Sequence, residues 1–279
     1  MPGLPIAGLL SWMWWWRKRR DQRSKRPFLQ MPRPPGWSLQ SRTEDLMSDF
    51  MLNTMMIALL GGIAWAFYVA QGNLLTSLLI AVPGSAIFLY LARKNLLCYA
   101  NHRLGLLGEQ VVGGVLDRLS SPTTHVFHDL EIKQPGRKPW NIDHIVVTTT
   151  GVSLIETKAR RKQVGENADG QKGHKLVFDG KQLIFPSPMR PDRHGLEQAA
   201  RNAEWLSAKL SQLNGTPVPV SPALVFPGWF IDRKAKGDVS VLNEKEIESF
   251  LGRRGEILSP ERLRAICGQL QDLSKVEFG

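Results

Sequence analysis

Cysteine is nearly missing from this chain. Two stand among 279 residues, Cys98 and Cys267, with no C-x-x-C pair and no Cys/His cluster. Zinc-finger and disulfide-scaffold classes are therefore excluded, and the scarcity fits a reducing compartment. A normal signal peptide is missing too. The apolar residues 1–16, with tryptophan at Trp12, Trp14, Trp15 and Trp16, precede the basic cluster Arg17-Lys18-Arg19-Arg20 instead of following it, and no small-residue cleavage site is evident. At under about 20 residues the run is also short for a transmembrane helix. It reads as an interfacial segment, with tryptophans at headgroup level and Arg17–Arg20 on anionic lipid headgroups, or as a start without structural role. Negative charge is in deficit: 36 Lys and Arg against 25 Asp and Glu give a formal charge of +11. That balance suits anionic partners, nucleic acid or acidic lipid, without choosing between them.

Charge of either sign is absent from two long stretches, Phe50 to Ala70 and Leu74 to Ala92, separated by Gln71-Gly72-Asn73. Each reaches the roughly 20 residues that span a bilayer; a buried helical hairpin is the alternative. Pro83-Gly84 would kink the second helix, which a membrane tolerates. Arg and Lys crowd the segment before Phe50, and Arg93, Lys94 and Arg103 follow Ala92, while the intervening loop is uncharged. The positive-inside rule then puts both flanks in the cytoplasm. The expected organisation is a basic Trp-rich segment and linker over 1–49, with residues 21–42 basic, Pro-punctuated and irregular, two transmembrane helices over 50–92, and a cytoplasmic domain over 93–279. The chain length allows one such domain plus appendages.

Within 93–279, Leu107, Val111, Val112, Val115, Leu116 and Leu119 recur at helical spacing. Glu109 falls in the first turns of that helix, where an acidic residue is favourable on electrostatic grounds alone. His125 to Ile132 reads as a strand. His125 and His128, three apart, would point to opposite faces of it, so they do not form a metal pair. Trp140 to Lys158 reads as a β-hairpin, two runs rich in Val, Ile and Thr around Thr150-Gly151. A turn over Thr149–Val152 would set Asp143 beside Thr157 and Lys158. Glu156 and Lys158, two apart, share a face. Two carboxylates and an ammonium converging there point to a divalent metal with a nucleophilic water, or to a surface ion pair worth at most about 1 kcal/mol.

A basic segment over 159–175 follows, either a solvated loop or a phosphate contact. Leu176 to Phe185 reads as a second hairpin around Asp179-Gly180, and Leu196 to Leu213 as an amphipathic helix. Strands at 219–226 and 239–242 and helices at 244–251 and 260–273 complete the domain. The order points to an α/β or α+β domain with a mixed sheet flanked by helices.

Four elements together carry a resemblance: Gly105-x-x-Gly108-Glu109, Ile142-Asp143-His144-Ile145-Val146-Val147, Gly151-Val152-x-Leu154-Ile155-Glu156-Thr157-Lys158, and Gln198 in a later helix. The set resembles the NERD (nuclease-related) domain, which has a PD-(D/E)xK, restriction-endonuclease-like fold. The resemblance implies a membrane-anchored nuclease that hydrolyses phosphodiester bonds, DNA ahead of RNA, with Mg²⁺ or Mn²⁺. Asp143 and Glu156 would ligate the metal, Lys158 would orient water and steady phosphate charge, and Glu109 and Gln198 would complete the catalytic set. Ser187-Pro188 stands where the family commonly has Asn-Pro. A catalytically inactive module binding nucleic acid or protein at the membrane is the alternative.

Overall fold

The computed structural model describes residues 33–274, apart from 135, 163–173, 187–188 and 254, together with Trp12, Trp15 and Arg19. Two compact units divide the chain, one of residues 33–274 and one of residues 1–32 with 275–279. Of the second, only the Arg19 guanidinium over the Trp15 ring, 4.2 Å from its centre, is described. Most of the Arg17–Arg20 cluster lies outside the described residues.

The first unit opens with two long helices, α1 (Trp37–Gln71) and α2 (Leu74–Leu119), joined at Gly72 and Asn73. Gly72 closes α1 with φ 67°, a left-handed conformation that glycine adopts without strain. The Asn73 side chain then caps α2 by accepting from the Thr76 amide. Both helices are long and apolar enough to cross a membrane, and their middle sections leave large apolar side chains such as Met55, Ile63, Leu79 and Leu89 exposed. Two expectations are corrected here. Trp37–Arg42 belongs to α1 and not to an irregular linker. The apolar segment from Leu74 and the helix carrying Glu109 are a single 46-residue helix with Pro83 inside it. Glu109 is therefore far from any helix amino terminus, and the dipole explanation for it falls away.

Beyond α2 come β1 (Thr124–Ile132), β2 (Trp140–Thr148), β3 (Gly151–Thr157), β4 (Lys175–Phe178), β5 (Leu183–Ile184), α3 (His194–Asn214), β6 (Val220–Val225), β7 (Phe230–Arg233), β8 (Ser240–Leu242), a 3₁₀ turn at Glu244–Glu246, α4 (Ile247–Leu251) and α5 (Pro260–Leu273). The main sheet runs β1-β2-β3-β6-β8. Its first two ladders are antiparallel, and the β3–β6 and β6–β8 ladders are parallel. A smaller sheet, β5-β4-β7, lies beside it.

The apolar residues of β2 and β3 are divided between two faces. Ile145, Val147, Val152 and Leu154 pack with Leu206 and Leu210 of α3 and Ile266 and Leu270 of α5. Val146 and Ile155 pack with Val112 and Leu116 of α2 and Ile247 and Leu251 of α4. Burial on both faces explains why these strands read as unbroken apolar runs and not as alternating ones. The fold is a mixed α/β sheet flanked by helices, preceded by two long apolar helices.

Candidate active site

Glu156 ends β3 one residue before its last, and Lys158 follows the strand directly. The turn between β2 and β3 is two residues long: Thr148 pairs with Gly151 and His144 with Ile155. Gly151, at φ 125°, takes a backbone conformation closed to residues with a Cβ. This register brings Asp143 level with Glu156, two residues away from the partner expected for a longer turn. A shift of two preserves the face, so the trio still assembles. The Thr157 amide donates to Asp143 Oδ2 at 2.8 Å. Lys158 Nζ donates to Glu156 Oε1 at 2.9 Å and to Gln198 Oε1 at 3.0 Å.

Gln198 reaches this point because α3 lays its apolar stripe, Leu196, Ala199, Ala203, Leu206 and Leu210, against the sheets. Asn202, one helical turn further on, directs its amide at Glu156 Oε2 at 3.5 Å. The sequence reading missed Asn202. Its signal was its i+4 spacing from Gln198, next to the apolar stripe, where a polar residue is out of place without a partner. Gly195 keeps the start of α3 close, since a Cβ there would lie 3.0 Å from Leu224 and 3.6 Å from Lys158.

Glu109 comes from α2. A Cβ on Gly108 would sit 2.6 Å from that of Ala159, so α2 rests directly on the chain leaving β3. Glu109, Asp143 and Glu156 are 5%, 6% and 1% exposed. Burial raises all three carboxyls above their ordinary range. Glu109 is pushed up to about 8, first by burial and then by the charges of Asp129 and Glu156; Lys158 and the Gly36 N–H pull the other way. Asp143 is driven well up by burial, then by Glu156 and Glu109. Glu156 is raised by burial against the opposing charge and hydrogen bond of Lys158. Burial presses the Lys158 ammonium down, but Glu156, Asp143 and Glu109 outweigh it and leave its pKa raised. Three buried carboxyls thus crowd around the Lys158 ammonium.

Such crowding is what a divalent cation relieves. Among the described residues no three His, Cys, Asp or Glu side chains stand close enough to hold an ion. A Mg²⁺ site needs fewer, because that ion keeps several waters and binds through one or two carboxylates. Asp143 and Glu156 supply an all-oxygen set of that size. Glu109 Oε2 is buried without a hydrogen-bond partner. The residues present fit a hard cation held by two carboxylates.

Other sequence features are used differently. His128 shares a 2.8 Å contact with His144 Nδ1 and a 2.9 Å one with Asp117, and burial followed by the His128 charge drives His144 well down. Of the basic loop, residues 163–173 lie outside the described residues, as do Ser187 and Pro188. At its start Arg160 pairs with Asp192 and stacks over the Phe185 ring, 4.5 Å from its centre, while Arg161 and Lys162 are exposed.

Helices flanking a mixed sheet, with an acidic pair and a lysine where β3 meets α3, define the class as a mixed α/β domain. Residues 104–227 match the family model of the nuclease-related domain, NERD, and the chain carries that domain there. No curated protein matches the chain. The crystal structure of protein VC1899 from Vibrio cholerae is similar at 11% identity, over 85% of this chain and 58% of that one, with a TM-score of 0.23. The chain thus spans under two thirds of that protein.

Proposed function

We propose that this protein is a membrane-anchored nuclease that hydrolyses phosphodiester bonds of nucleic acid, DNA ahead of RNA. The observation that carries the reading is Lys158 Nζ bridging Glu156 Oε1 and Gln198 Oε1, with Asp143 level with Glu156 on the neighbouring strand. Asp143 and Glu156 would hold Mg²⁺ or Mn²⁺, which when bound supplies a Lewis acid for phosphate oxygen and a more acidic water. In the reaction a water oxygen bonds to phosphorus, the ester P–O bond breaks, and one water proton ends on the leaving oxygen. Lys158, fixed by two acceptors, offers preorganised positive charge where phosphate charge grows. Gln198 holds that ammonium in place, and Asn202 orients Glu156. Arg161 and Lys162, exposed where the chain leaves the site, suit phosphates flanking the scissile one.

The anchor is the α1–α2 hairpin, supported by its exposed apolar side chains and by the basic residues at both ends. In this arrangement both ends of the hairpin and residues 93–279 face the cytoplasm, and Arg17–Arg20 meets anionic lipid. The test is cleavage of single- and double-stranded DNA and RNA by the full chain, with Mg²⁺ or Mn²⁺ and with chelator. Metal-dependent cleavage lost in Glu156→Gln supports the reading; no cleavage of any substrate removes it. A second reading, a module that binds nucleic acid without turnover, is favoured by the absence, among the described residues, of any three His, Cys, Asp or Glu side chains that could hold an ion together. It predicts salt-sensitive binding that Glu156→Gln leaves unchanged.

A further inference from the structure

Gly36 begins α1 at φ 76° and, having no side chain, cannot cap it. The cap comes from Asp129 of β1, 91 residues away: its Oδ2 accepts from the Ser38 amide and its Oδ1 from the Ser38 hydroxyl, both at 2.7 Å. Asn141 donates to the same Oδ1 at 2.8 Å and to Ser38 Oγ at 3.1 Å. Arg33 completes the attachment through the Asp129 carbonyl at 3.1 Å and Glu131 at 2.8 Å. Asp129 is fully buried and holds φ 48°, a left-handed conformation that few residues other than glycine adopt. This conformation is sustained at the residue that aims its carboxylate at α1.

The segment so fastened crosses Glu109. A Cβ built on Gly36 would meet Leu106 at 2.5 Å and stand 3.7 Å from Glu109 Oε2, and Pro35 closes against Gly113 of α2.

We propose that Arg33–Ser38 is a strap that positions Glu109, with Asp129 the positioning residue that holds the strap down. Glu109 is a member of the active site on the reading given above, whereas the seating of the strap is independent of that reading. The strap opens one arm of the apolar hairpin and Glu109 rides on the other, so the contact ties both arms to the site.

The test uses the full chain in lipid nanodiscs, with carbodiimide-driven amine labelling of carboxyls and amide exchange over residues 33–40, both read by mass spectrometry. In the wild type Glu109 and Glu156 stay unlabelled and 33–40 exchanges slowly. Ser38→Ala and Asp129→Ala each speed exchange over 33–40 by about tenfold or more and expose Glu109 to labelling. Glu156, covered from α3, stays unlabelled, and Asp129→Asn gives an intermediate pattern. Mn²⁺ titration of the wild type, run alongside, reads whether Asp143 and Glu156 hold the ion. If Asp129→Ala also labels Glu156, the domain has opened, and Ser38→Ala, which removes one hydroxyl donor and no charge, decides. Unchanged exchange in the variants, or fast exchange with Glu109 still unlabelled, overturns the proposal. A wild type that binds no Mn²⁺ removes the nuclease reading and leaves the labelling pattern to judge the strap.

Discussion

Lys158 sits among three buried carboxyls, and its charge is fixed by Glu156 and Gln198. Lys158→Ala should lower cleavage by about 10²- to 10³-fold, the usual loss for one preorganised donor, with the fold intact by circular dichroism. Lys158→Arg should not rescue it, because a planar fork cannot reproduce a point charge between two acceptors. Asn202→Ala should weaken metal affinity by about 10-fold or more by freeing Glu156, measured by Mn²⁺ titration. The carboxyls also set a pH dependence. Glu109, ordinarily near 4.5 and raised to about 8 here, binds its proton more tightly folded than unfolded. Its contribution to stability is complete below about pH 4 and is lost as pH rises toward about 8. Metal-free thermal melts should therefore fall over that window, and Glu109→Gln should flatten the fall; equal slopes would contradict the assignment.

At the level of elements, the site depends on how closely α2 and α3 approach β3. Gly108→Val would push α2 off the chain at Ala159, with a stability loss of about 1–3 kcal/mol and displacement of Glu109. A denaturant titration measures the first and carboxyl labelling the second. Leu154→Ala, in the core beneath the site, should cost about 2–5 kcal/mol. The trio was legible in the sequence because it is local: Asp143, Glu156 and Lys158 lie on one hairpin, and a turn-length error of two residues leaves the face unchanged. Gln198 was legible only through the family pattern, since it meets Lys158 from another element. The contact between Asp129 and Ser38 was not legible, as 91 residues separate them. β7 was missed because Phe230–Arg233 is short and half charged, and its place is decided by pairing with β4. Trp37–Arg42 read as linker because Pro32, Pro34, Pro35 and Gly36 precede it, and the cap that starts the helix there is supplied by a distant strand.

For the whole molecule, the hairpin and the domain are continuous, because α2 runs from the apolar segment to Leu119. The fragment 93–279 lacks Arg33 and Ser38 and would leave the Asp129 carboxylate buried with fewer partners, a loss of about 1–3 kcal/mol. It should melt below the full chain, by calorimetry in matched detergent. The account rests most directly on one measurement: cleavage of labelled DNA by the full-length protein in nanodiscs with Mg²⁺ or Mn²⁺, wild type beside Glu156→Gln. The account predicts cleavage that chelator abolishes and that Glu156→Gln reduces by about 10²-fold or more. Cleavage equal in the two proteins, or none by the wild type with either metal, would contradict it.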